Sequence, residues 1–133
     1  MVHEKHKIPI YQNTLNLVYD EEIEISSMLE KLGINYEDLH PEGSDGYTLI
    51  YDNEYWIFLH NNVTPGVIAH EAKHYLNFIW AQIDGNLDKQ EDEFEAYFLG
   101  YVVDLIHKFV NENKIILKES DYIWYQPIRE IIK

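Results

Sequence analysis

Residues 70–74 read His-Glu-Ala-Lys-His, and this spacing constrains the fold more tightly than any other feature of the chain. Side chains four apart share one face of an α-helix, so a helical segment presents the imidazoles of His70 and His74 to a single point. Two imidazoles so placed are the start of a zinc site. Glu71 then stands beside that point as a candidate general base. With 7 His and 15 Glu in 133 residues, chance alone produces the pattern in about 4 of 100 shuffled chains, so the flanking residues must carry the argument.

They favour a helix. Thr64-Pro65-Gly66 lies just upstream, with a hydroxyl suited to the N-cap and a proline suited to the first helical position. Val67, Ile68, Ala72, Tyr75, Leu76, Ile79 and Ile83 recur at helical spacing, and Asp84-Gly85-Asn86 supplies a stop. Catalytic zinc usually takes three protein ligands and keeps a fourth position for water, so a third ligand has to come from elsewhere. The next element, residues 90–110, is rich in Phe94, Tyr97, Phe98, Tyr101, Val102, Leu105, Ile106 and Phe109 and opens with Glu91-Asp92-Glu93-Phe94-Glu95. A helix here, running back antiparallel after a short turn, brings an early carboxylate near the histidines. Glu93 is the expected ligand, because Glu93, Ala96, Tyr97 and Gly100 form a stripe whose small residues let two helices approach closely. Glu95 projects roughly 200° away from it at about 100° per residue, and Glu91 is expected to fray or cap.

On these residues the chain resembles the zincin-type metallopeptidases with a glutamate ligand, the gluzincins. More narrowly it is similar to small phage and prophage metallopeptidase-like proteins, with a looser likeness to the ImmA/IrrE group. The likeness rests on residues 64–74 and on Asp92-Glu93-Phe94-Glu95-Ala96-Tyr97-Phe98-Leu99-Gly100, which is similar to the D-E-x-x-A-Y-L-x-G pattern that follows H-E-x-x-H in those proteins. It implies zinc held by His70, His74 and Glu93, Glu71 as general base, and hydrolysis of a peptide bond. Departures also inform. Asn77 and Trp80 replace the glycine and histidine of the longer H-E-x-x-H-x-x-G-x-x-H pattern, which favours glutamate as third ligand. Tyr97 stands where thermolysin-like relatives carry an acidic partner for a zinc-bound histidine, with Asp104 as a candidate substitute on the same stripe.

One compact domain suits 133 residues with 46% hydrophobic content, so residues 1–133 are read as a single zincin-like domain. Cys is 0, which excludes disulfides and thiolate metal sites. The opening residues lack a signal-peptide apolar core and no apolar run is long enough to span a bilayer, so a cytoplasmic protein, or one made there by a phage genome, is expected. A formal net charge of −14 repels phosphates, so direct nucleic-acid binding is not expected and the partner is a protein or peptide. The excess charge either keeps a Tyr-rich domain soluble or makes an acidic mimic of DNA.

Residues 8–18 are predicted as strand, with Leu15 and Leu17 alternating against Thr14 and Asn16, and Asp20 as a following cap. A helix is predicted over residues 21–32, carrying Ile25, Met28, Leu29 and Leu32 and ending at Gly33. Residues 47–51 and 55–59 read as a hairpin joined through Asp52-Asn53-Glu54. The result is an α+β architecture: a small, mostly antiparallel sheet packed on the motif helix, with an antiparallel ligand-bearing helix and an edge strand able to align an extended peptide. His3 and His6 are assigned to a solvated terminus, His40 to a loop, and His60 and His107 to structural roles. Ile115-Ile116-Leu117 is a candidate short strand, and Pro127 a candidate start for a final turn. Three functions fit: a zinc peptidase, a catalytically silent zinc-binding interaction domain, and an acidic phage protein in which the motif is accidental.

Overall fold

Residues 15–18 and 55–59 bury every side chain they carry, as strands covered on both faces must. They form the centre of a four-stranded sheet. A computed structural model describes residues 1–9, 11–35, 41, 43–83 and 93–119. Its elements run β1 (Val2–Ile8), β2 (Asn13–Asp20), α1 (Ile25–Lys31), β3 (Gly46–Tyr51), β4 (Glu54–His60), α2 (Pro65–Gln82) and α3 (Glu93–Glu112). The strand order is β1-β2-β4-β3. Both outer pairings are antiparallel, whereas the central β2–β4 pair is parallel. This is a small α+β fold with a mixed sheet.

Alternation along the strands separates two cores. Leu15, Leu17, Tyr55, Ile57 and Leu59 pack with Ile68, Ala72, Tyr75, Leu76 and Ile79 of α2 and with Phe98, Val102, Ile106 and Phe109 of α3. Val18, Leu49, Trp56 and Phe58 face the other way, onto Ile25, Met28 and Leu29 of α1. The sheet is therefore covered by α1 on one face and by the α2–α3 pair on the other. These two helices are antiparallel: Trp80 near the end of α2 meets Phe94 at the start of α3. At the opposite end, Lys118 N–H, beyond α3, donates to the Val63 carbonyl at 2.8 Å, just before α2. Among the described residues no helix is long and apolar enough to cross a membrane.

The β3–β4 hairpin turns where expected, on Asp52 (φ 54°) and Asn53 (φ 59°), both in the left-handed region a tight two-residue turn requires. Gly33 takes φ +73° after α1, the stop its position predicts. Helix α1 itself is shorter than the expected 21–32. Asp20 Oδ1 instead accepts the N–H groups of Glu22 and Ile23 at 2.8 and 3.0 Å, closing a turn before the helix begins.

The amino-terminal segment departs most from expectation. Residues 2–8 are strand β1, and the expected single strand over 8–18 is broken by a turn carrying Tyr11 (φ 59°) and Gln12 (φ 39°). Neither residue favours that conformation, so no local signal announced it. Its support is tertiary: the Tyr11 ring packs edge-on against Trp80, Phe94 and Phe98, with centroids 5.9, 6.1 and 6.3 Å away. His3 is exposed, as expected, but lies in β1 rather than in an unstructured terminus. Its Nε2–H donates to Asn16 Oδ1 at 2.8 Å, and fully buried Asn16 donates in turn to Glu54 Oε1 at 2.9 Å and to the Tyr55 carbonyl at 3.2 Å. His6 Nε2–H donates to Glu4 Oε1 at 3.1 Å. Residues 115–117 form no strand, although Ile115 is buried. The expected stop at 84–86, His40 and Pro127 lie outside the described residues.

Candidate metal centre

Helix α2 starts as its sequence requires: Thr64 Oγ1 accepts the Val67 N–H at 3.0 Å and Pro65 occupies the first turn. Its buried stripe is Ile68, Glu71, Ala72, Tyr75, Leu76 and Ile79, which leaves His70 and His74 on the open face. Their Nε2 atoms approach to 3.0 Å, and the rings meet at 80° with centroids 4.6 Å apart. The His70 side chain is 66% exposed, so this pair of nitrogens converges on a point accessible from solvent.

Glu71 is the charged member of the buried stripe, 5% exposed. A lone buried carboxylate is costly, and this one is met by β3. The Thr48 hydroxyl donates to Glu71 Oε1 at 2.7 Å, while Oε2 stands 3.9 Å from His70 Nε2. Burial raises the Glu71 pKa above the usual glutamate range; the Thr48 hydrogen bond and then the fields of His70 and His74 act in the opposite direction. One turn on, burial likewise raises the Tyr75 pKa, and its hydroxyl donates to Asn13 Oδ1, tying α2 to β2.

Helix α3 packs through a different stripe from the one expected. Glu93, Ala96, Tyr97 and Gly100 are all exposed, Tyr97 by 75%, and a Cβ added to Gly100 would meet nothing within 4 Å. That stripe is open to solvent. The packed face is Phe98, Val102, Ile106 and Phe109, because burying large apolar side chains outweighs the close approach that small ones permit. Glu95 belongs to the packed side. Its side chain is 12% exposed and its carboxylate pairs with Lys73 Nζ of α2. The structure thus brings His70, His74 and Glu71 together, and Glu95 is the early α3 carboxylate that pairs with a side chain of α2. Asp104, the candidate substitute partner, is exposed. His60 is structural as expected, its Nδ1–H donating to the Asp20 carbonyl at 2.7 Å.

Tested against a zinc ion, the residues fit in part: two convergent, exposed imidazoles suit it, and the first turn of α3 offers carboxylates for a third ligand. Sequence reasoning missed Gly46, Thr48 and the Lys73–Glu95 pair. Alternation could have put Gly46 and Thr48 on one face of β3, but only the packing of α2 shows which face that is. Neither a family model, nor a curated protein, nor a solved structure matches the chain.

Proposed function

We propose that the chain is a zinc-dependent peptidase, in which His70 and His74 hold the metal and Glu71 is the general base. The observation carrying this reading is the convergence of two exposed imidazoles 3.0 Å apart beside a buried carboxylate in the same helix. For the third ligand the assignment moves from Glu93 to Glu95, since Glu95 is the carboxylate that reaches α2. A bound zinc would supply the charge that polarises a carbonyl and lowers the pKa of water from about 15.7 towards 7.

Glu71 does the proton work. Its Oε2 accepts a proton from the attacking water and delivers it to the amide nitrogen as the C–N bond breaks, leaving a carboxylic acid and an amine. Burial keeps bulk water from competing for that proton. Beside it, β3 ends the sheet among the described residues, so its outer edge can pair with an extended peptide and lay a scissile bond near Glu71.

Protein purified without chelators or a metal-affinity tag should carry about one zinc per chain, and His70→Ala or His74→Ala should abolish tight binding. Unchanged zinc content in both variants would refute the site. Glu95→Ala should weaken zinc more than Glu93→Ala, and the reverse order would return the ligand to Glu93. Glu71→Gln should retain zinc and fold while losing about 10²–10⁴-fold in rate. A zinc-loaded Glu71→Gln protein with full biological activity would mark a binding module instead.

A further inference from the structure

Gly46 and Thr48 project from the same face of β3, opposite Leu59 and Ile57 of β4, the face covered by α2. Between them they hold one side chain. The Thr48 hydroxyl donates to Glu71 Oε1 at 2.7 Å and lies 3.3 Å from the Glu71 carbonyl oxygen. On the other flank, a Cβ at Gly46 would stand 2.8 Å from Glu71 Cγ, 2.9 Å from Oε2 and 3.0 Å from Cδ, so only glycine leaves the carboxylate its space. The two oxygens are therefore unlike: Oε1 is occupied by a hydroxyl of the edge strand, and Oε2 stands toward His70 Nε2, 3.9 Å away.

We infer that Thr48 is a positioning residue for Glu71, holding Oε1 so that Oε2 alone is presented to the histidine pair as the proton-accepting atom. This rests on the zinc-peptidase reading. A glutamate side chain turns about three single bonds, and a buried carboxylate oxygen deprived of its donor seeks another. The nearby alternatives are the imidazoles of His70 and His74. Removing the hydroxyl therefore lets the carboxylate swing onto the metal-binding nitrogens, where it cannot serve as a base. Gly46 makes the same arrangement possible by absence: the wall beside Oε2 is bare backbone.

A role confined to tying α2 to β3 would lower stability and do nothing else, so the test reads the carboxylate itself. Thr48→Val keeps the shape and strand preference of threonine without its hydroxyl, and Thr48→Ser restores the hydroxyl. Each variant, with wild type and Glu71→Gln, is loaded with cobalt(II), whose visible spectrum reports ligation, and titrated with acetohydroxamic acid. The hydroxamic acid gives up a proton as it binds a divalent ion, and a base at Oε2 receives it. At saturating cobalt Thr48→Val should be loaded like wild type but bind the hydroxamate about tenfold or more weakly, with Thr48→Ser within about twofold of wild type. Equal affinity in Thr48→Val and wild type, while Glu71→Gln is weakened, overturns the positioning role. Absence of cobalt binding, or an unweakened Glu71→Gln, strikes instead at the zinc-peptidase reading. Crystal structures of the metal-free variants then decide: a Glu71 carboxylate displaced in Thr48→Val and restored in Thr48→Ser upholds the role of Thr48, and an unmoved one refutes it.

Discussion

Among the described residues the sheet has β1 and β3 at its two edges, and they are built in opposite ways. β1 carries five ionisable residues in a row, His3, Glu4, Lys5, His6 and Lys7, and several are engaged in side-chain bonds. His3 reaches Asn16, and Lys5 Nζ lies 3.2 Å from Glu54 Oε1. β3, Gly-Tyr-Thr-Leu-Ile-Tyr, carries no acidic, basic or histidine side chain. Charge on an edge discourages a further strand from adding, whereas an uncharged edge permits it. The permissive edge is also the one whose Gly46 and Thr48 touch Glu71. Among the described residues no strand adds to the edge beside the candidate base, and two strands separate it from the guarded edge.

The largest test of this contrast is Gly46→Ala. Its new Cβ would stand 2.8 Å from Glu71 Cγ, so the carboxylate has to move. Zinc content should be retained while turnover falls by about 10²-fold or more, the scale of losing a general base. An unchanged rate would show that β3 does not position Glu71.

The corresponding change inward of the guarded edge affects stability instead. Asn16→Ala removes the amide that bonds His3, Glu54 and the Tyr55 carbonyl, and should cost about 1–3 kcal/mol in urea unfolding with zinc binding intact. It should also flatten the acid limb of the stability profile. The Asn16 hydrogen bond, aided by Lys5, holds the Glu54 pKa below the ordinary glutamate range despite some desolvation. The folded state therefore binds fewer protons than the unfolded one, so this contribution is complete above the unfolded-state pKa and disappears as pH falls through the folded value. An acid limb as steep in Asn16→Ala as in wild type would refute the linkage.

Smallest is an exchange of edge character. Ile50, 37% exposed on β3 and on the same face as Gly46 and Thr48, can be replaced by lysine to give β3 the charge that β1 has. Stability should change by no more than about 0.5 kcal/mol, while KM for an extended peptide rises and kcat holds. Lys7→Ile on β1 should leave KM unchanged. Equal KM values in the two variants would mean that peptide does not pair with β3.

Where short-range chemistry decides, the sequence was readable. Thr64 and Pro65 announce the start of α2, Asp52-Asn53 turn the hairpin, Gly33 follows α1, and four-residue spacing puts His70 and His74 together. β1 was not readable, since an edge strand guarded by charge lacks the apolar alternation that marks half-buried strands. Nor was the Tyr11–Gln12 turn, whose unfavourable dihedrals are held by rings from α2 and α3.

By itself, then, the sequence determined the motif helix, its two histidines and the glutamate beside them, because backbone geometry and capping act over a few residues. Only the tertiary structure decided that β2 and β4 pair in parallel, that Gly46 and Thr48 enclose Glu71, and that Glu95 pairs with Lys73 of α2. Each of those outcomes is a competition for burial between distant segments. On α3 the competition was won by Phe98, Val102, Ile106 and Phe109, whose apolar area outweighs the small-residue stripe that a view of the helix alone had favoured.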